Sequence, residues 1–167
     1  MAAQSSFDVT SKVDLQEVDN AVNQALKELG QRYDFKGVKF TLDFKRAENL
    51  IEIAADDKMH LDAVWDVLQT RMIRRGVPVK NLKPSDIETI GAGRVKRTVT
   101  LQQGVPIEAA REVVKYLKDQ KLKKVQAAIQ GDQLRITSPS KDELQTAIHL
   151  LRSHDFGVEL QFGNYRD

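Results

Sequence analysis

Arginine, lysine, glutamine and threonine on neighbouring strands can hold a phosphorylated, hydrogen-bonding ligand. Cationic groups neutralise phosphate oxygens, while amides and hydroxyls meet base edges. Arg135, Lys96, Thr98 and Gln126 form such a set. Alternation along the strands places them on one sheet face with Thr100, Gln130 and Gln161, a set with no acid apart from Glu159 at the end of the last strand. Arg135 is the principal candidate. It is central in its strand, its guanidinium can bind two acceptors at once, and it is expected to stand exposed without a buried partner. A solvated sheet face is the plainer reading of the same pattern, and the shortage of acids is what favours a site.

Other chemistry finds little support. No cysteine is present, which excludes a thiolate nucleophile, a disulfide framework and Cys-ligated zinc or iron–sulfur. His60, His149 and His154 lack metal-ligand spacing, so no metal site is assigned. The chain has no Gly-x-Ser-x-Gly elbow, no His-Glu-x-x-His and no Walker or Rossmann glycine pattern. The stretches before the two first helices, Lys12-Val13-Asp14 and Gln102-Gln103-Gly104-Val105, lack the arginine of an acylphosphatase loop. No catalytic residue, enzyme activity or cofactor is assigned. Gly91-Ala92-Gly93-Arg94 could cradle a phosphate with its amides, although a connecting turn is the commoner meaning. The lysines at 115, 118, 121, 123 and 124 read first as a solvated helix end and second as a nucleic-acid contact. Trp65 reads as core packing.

These residues must be positioned by regular elements. An alternating strand at Phe7–Val13 leads to Asp14 and Glu17, a capping box, and to a helix with its stripe at Leu15, Val18, Val22, Ala25, Leu26 and Leu29. Strands follow at 38–44 and 51–53. A helix carrying Leu61, Val64, Leu68 and Met72 is stopped by Gly76 and Pro78, and a short strand is expected near Val79–Leu82. The same order then recurs. A strand occupies 95–101, and a helix opens at Pro106 with its stripe at Ala110, Val114 and Leu117. Strands lie at 125–129 and 134–136, a helix capped by Ser140 carries Leu144, Ala147, Ile148 and Leu151, and a last strand covers 158–162. Ile51 to Lys58 and Leu134 to Lys141 superpose at a constant offset of 83 residues, with Leu61 and Leu68 matching Leu144 and Leu151.

Two copies of a β-α-β-β-α-β unit imply an α+β protein with two ferredoxin-like units, 1–90 and 91–167, each an antiparallel sheet with helices on one face. Phe7, Phe40, Phe44 and Phe162 share the apolar phase, so neither open face offers the stacking aromatics of an RNA-recognition sheet. The 167 residues are 41% apolar and 30% charged, suited to a globular core. Residues 1–90 hold 13 Lys and Arg against 15 Asp and Glu, and residues 91–167 hold 13 against 9. The basic second half favours an anionic partner that is small or touches few phosphates. No apolar run reaches a membrane span and the first residues do not read as a signal peptide, so a cytoplasmic protein is expected.

Ser6-Phe7-Asp8-Val9, Val13-Asp14-Leu15-Gln16-Glu17-Val18, Arg32-Tyr33-Asp34-Phe35-Lys36-Gly37 and Gln161-Phe162-Gly163-Asn164-Tyr165-Arg166-Asp167 resemble the bacterial YajQ family, essentially end to end. The resemblance implies two ferredoxin-like domains with exchanged first strands. It also implies nucleotide binding without an established catalytic activity, with ligands ranging from mononucleotides to cyclic dinucleotides and nucleic acid. It brings no ligand-contact motif. Within its motifs, Lys36 and Arg166 are charges that a phosphate can use, and Tyr165 can stack on a base. The functional expectation is a nucleotide-binding sensor or adaptor. A protein binding RNA or DNA through basic surface residues is the alternative, and a purely structural module with a protein partner is the third.

Overall fold

The computed structural model describes residues 3–167. It divides into two compact units, one made of residues up to Lys12 together with Gln103–Asp167, the other of Val13–Gln102.

In the second of these units the helices α1 (Leu15–Gln31) and α2 (Lys58–Arg74) cover one face of a sheet. Its strands are β2 (Phe40–Lys45), β3 (Leu50–Ala55), β4 (Leu82–Pro84), β5 (Glu88–Gly91) and β6 (Arg94–Leu101), in the order β2-β3-β6-β4 with β5 also on β6. Asp14 caps α1 by accepting from the amides of Gln16 and Glu17. The Glu17 carboxylate does not close the expected box. It takes a bidentate bond from Arg75 at 2.8 and 3.0 Å, tying the start of α1 to the end of α2. Leu29, Ile51, Ile53, Leu61, Leu68, Met72 and Val99 fill the core, and Trp65 packs against it half-buried. Residues 79–81 form a 3-10 turn, so the short closing strand begins at Leu82 rather than Val79. Gly91-Ala92-Gly93 is the tight hairpin turn between β5 and β6, with positive φ at all three residues.

The other unit contains β1 (Ser5–Thr10), α3 (Ile107–Asp119), β7 (Gln126–Gln130), β8 (Gln133–Ser138), α4 (Lys141–Arg152) and β9 (Gln161–Arg166). The sheet order is β7-β8-β1-β9, all antiparallel, and Phe7, Val9, Leu134, Ile136 and Leu151 lie fully or almost fully buried beneath the helices. Val158 is buried, but the last strand starts only at Gln161.

The repeat is present as expected. The 83-residue shift carries β3 onto β8, the cap Asp57 onto Ser140 and the first residue of α2 onto that of α4. Both sheets have the ferredoxin-like strand order, and each takes its first strand from the other half of the sequence. The chain therefore changes unit at Lys12/Val13 and at Gln102/Gln103. The 90/91 boundary divides the repeat as written in sequence, while the compact bodies follow the exchanged strands.

The residues themselves favour this exchange. Phe7 lies opposite Ile136 and Asp8 opposite Arg135, whereas Arg97 lies opposite Ile53 and Thr98 opposite Glu52. Returning each strand to its own half would set Asp8 against Glu52 and put Arg97 in the fully buried place of Phe7. Like charges on directly opposed residues and a guanidinium in an apolar core both carry a cost.

Candidate functional site

Exchange changes which residues share a face. The helix-free side of the β7-β8-β1-β9 sheet carries Gln126, Ala128 and Gln130 from β7, Arg135 and Thr137 from β8, Ser6, Asp8 and Thr10 from β1, and Arg166 and Gln161 from β9. Gln126 and Arg135 are therefore together, as alternation predicts. Lys96 and Thr98 are not with them. They lie on β6 in the other sheet, where Lys96 pairs with Glu88 at 3.7 Å and Thr98 sits opposite Glu52. Ser6, Asp8 and Thr10 of β1 occupy the positions that alternation within one half assigns to β6. Lys36 is also in the second unit, in the turn after α1, with its ammonium 5.0 Å from the ring centre of Tyr33.

The same exchange gives Arg135 an acid partner, so it is not the unpartnered cation that the sequence suggested. Asp8 is 5% exposed and accepts from Arg135 Nε at 3.3 Å, Arg166 at 3.4 Å and Asn164 Nδ2 at 2.6 Å. Asn164 can reach it because the pairing of β1 with β9 slips between Ser6 and Asp8, and Asn164 takes a left-handed conformation with φ 54°. Burial by itself would raise the Asp8 carboxyl. The Asn164 amide and the two guanidiniums outweigh it and hold the group below the usual carboxylate range. One fixed anion thus aims two cations, and the cluster keeps one net positive charge.

That geometry suits an oxyanion ligand. Arg135 spends only its Nε on Asp8, leaving both terminal amino groups for an incoming acceptor. Among the described residues, the side chains of Gln126, Gln130 and Thr137 make no hydrogen bond to the protein, so their donors and acceptors are available beside Arg135. On the opposite, helix-covered side of the sheet, a separate cleft of about 240 Å³ lies between the end of β9 and α4, lined by Tyr165, Arg166, Lys141, Gln145 and Leu144 over a floor of Phe7. Tyr165 is 59% exposed there, which leaves ring surface for stacking.

Across residues 5–166 the sequence matches the family described as "Nucleotide-binding protein YajQ-like". The chain belongs to the YajQ family. Among its relatives, a "Nucleotide-binding protein" of Geobacter metallireducens (strain ATCC 53774 / DSM 7210 / GS-15) is 51% identical over 97% of this chain and 99% of that one. One from Magnetococcus marinus (strain ATCC BAA-1437 / JCM 17883 / MC-1), "Nucleotide-binding protein Mmc1_1670", is also 51% identical over the same shares. A third, from Trichlorobacter lovleyi, is 46% identical with similar coverage.

Two of the YajQ-like motifs meet in this one cluster. Ser6-Phe7-Asp8-Val9 supplies the acid, and Gly163-Asn164-Tyr165-Arg166 supplies the amide and one arginine. The motif at 32–37 lies elsewhere, in a turn bolted to the start of α2. His60 Nδ1 contacts Asp57 at 2.8 Å, and its Nε2 lies 3.2 Å from the Asp34 carbonyl oxygen. The Asp57 hydrogen bond raises the His60 pKa, and the Asp34 carbonyl adds to this. A raised folded value contributes stability that is complete below the ordinary 6.5 and is lost as pH rises through the folded value. The stability advantage of the protein over His60→Gln should therefore shrink as pH is raised across that window. Thermal melts of both proteins across the pH range check this, and a constant difference would show that His60 acts only through packing.

No helix of the described residues is long and apolar enough to cross a membrane. Among those residues, no group of three or more His, Asp or Glu side chains forms a metal-binding cluster.

Proposed function

We propose that this protein binds a nucleotide on the helix-free face of its β7-β8-β1-β9 sheet and serves as a cytoplasmic sensor or adaptor. The observation that carries this reading is the convergence of Arg135 and Arg166 on buried Asp8, beside the free amides of Gln126 and Gln130. The phosphate is met by the arginines, and the base edge by the glutamines or, for guanine, by the Arg135 fork. The names of the 46–51% identical relatives support the ligand class. Lys96 and Thr98 are left out of the site because they belong to the other sheet.

Turnover is not part of the proposal. The one carboxylate of this face, Asp8, is saturated by an amide and two guanidiniums and is held ionised, which makes it a weak base for activating water.

Calorimetric titration with mononucleotides, cyclic dinucleotides and a short RNA, each at two salt concentrations, tests the reading. Arg135→Ala should weaken nucleotide binding by about 1–3 kcal/mol, the scale of a charge-assisted bidentate contact. Stability should fall by only about 1 kcal/mol, because Asp8 keeps Arg166 and Asn164. Normal binding by Arg135→Ala, with loss in Lys36→Ala, would move the site to the turn at 32–37. An RNA affinity falling by about one log unit per log of salt for each phosphate neutralised would favour the nucleic-acid alternative.

A further inference from the structure

Each of the two sheets has two edges, and three of those four edges carry devices that discourage pairing with another strand. β2 alternates Asp43 and Lys45 along its exposed side. β4 holds Lys83 and Pro84. β9 is broken by the left-handed Asn164 and carries Arg166. Edge charges, proline and bulges are the usual protection against strand addition. β7 has none of them. Its five residues, Gln-Ala-Ala-Ile-Gln, hold no charge and no proline, and its backbone faces outward along one whole side.

We propose that two copies of the chain associate through β7, paired antiparallel about Ala128, so that their four-stranded sheets become one. This goes beyond the nucleotide reading and does not depend on it. The sequence of β7 is self-complementary under a two-fold axis. Ala128 meets its own copy, Gln126 meets Gln130, and Ala127 meets Ile129. A closed two-fold contact requires this kind of self-match. Charge agrees with it. Lys123 and Lys124 precede the strand and Asp132 follows it, so antiparallel pairing brings unlike charges together at both ends, whereas parallel pairing would set lysine beside lysine. Packing agrees as well. Ala127 and Ile129 point to the helix side, where they lie opposite Ile136 and Leu134. Ile129 is left 38% exposed. A cleft of about 300 Å³ opens there, lined by Val114, Leu117, Val125 and Ala127. The second copy's Ile129, held opposite Ala127, enters that cleft, and the reciprocal insertion follows from symmetry.

The contact is small, so the dimer is expected to be concentration-dependent. Sedimentation velocity of the full chain, from about 1 μM to about 1 mM, should show the mass rising from one chain toward two and no further. Ile129→Lys should reduce association at least tenfold. Lys124→Glu should weaken it in the same direction while leaving the core untouched, which keeps the test intact if the first variant folds poorly. The chain has no cysteine, so Ala128→Cys adds a single thiol on the proposed axis. Directly opposed residues lie about 4.5–5.5 Å apart at Cα, within disulfide reach. Under mild oxidation Ala128→Cys should cross-link at least tenfold faster than Thr41→Cys on the edge of the other sheet. A chain that stays monomeric throughout, species larger than a dimer, or equal cross-linking by the two thiol variants would overturn the proposal.

Discussion

Asp8→Ala should destabilise the protein by about 2–3 kcal/mol, more than any single substitution at the arginines it holds. Removing the acid of a buried ion pair leaves its partners uncompensated, at a typical cost of about 3–5 kcal/mol. The arginines here keep 36% and 40% of their side-chain surface in water, which lowers that figure. Asn164 loses its 2.6 Å acceptor as well, and with it the contact that fixes its left-handed conformation. Urea denaturation of the protein, Asp8→Ala and Asp8→Asn gives the comparison. The depressed carboxyl also sets a pH signature. Its contribution is complete above the ordinary 3.8 and is lost as pH falls through the lower folded value, so the advantage over Asp8→Asn should fade in acid. A loss below about 0.5 kcal/mol in Asp8→Ala would place Asp8 among ordinary surface positions.

Cutting the chain in the β5–β6 turn, at Ala92, should leave neither fragment folded alone, while the mixed fragments should recover the native structure. Each fragment keeps a first strand whose residues suit the other half. In the first fragment, β1 taking the place of β6 would oppose Asp8 to Glu52. In the second, β6 taking the place of β1 would set Arg97 against Ile136, where Phe7 is wholly buried. Burying an unpaired guanidinium is prohibitive on the scale of about 5–15 kcal/mol that stabilises a whole domain. Circular dichroism and thermal melts of each fragment and of the equimolar mixture decide it. Cooperative unfolding by either fragment alone would show that the exchange is a matter of connection and not of strand identity. As a second check, Arg97→Phe combined with Thr98→Asp should make the second fragment more self-sufficient.

The parts of the fold legible in the sequence are those whose signals are local. The helix stripes, the caps at Asp14 and Ser140, and the strand-turn-helix repeat at an 83-residue offset depend on neighbours within a few turns. They appear where the patterns place them, except that Leu26 of α1 is 37% exposed and Val114 of α3 is half-buried, with Ala21 and Val113 buried in those helices. Strand pairing is different. A period of two says which face a residue takes but not which strand lies alongside, so exchange entered only through the resemblance to the YajQ family. That gap explains the outcome at the site. Alternation put Arg135, Gln126 and Gln130 on a common helix-free face, where they are. It also put Lys96 and Thr98 there and gave Asp8 to another sheet. Opposing the candidate strands residue by residue would have exposed the mismatch, because Asp8 suits Arg135 and clashes with Glu52. The role of Asn164 had a weaker signal, a Gly-Asn pair inside an otherwise regular strand, where a bulge is a common meaning. The 3-10 turn at 79–81 carried no periodic pattern to read.

Backbone amide NMR shifts of the intact protein, followed while a nucleotide is added, bear most directly on the binding face. The perturbed residues should cluster on β1, β8 and β9 around Asp8, Arg135 and Arg166, extend to Gln126 and Gln130, and in Arg135→Ala require roughly five- to 150-fold more nucleotide for the same shifts. Shifts confined to the turn at 32–37, or no shifts with any mononucleotide or cyclic dinucleotide, would contradict it.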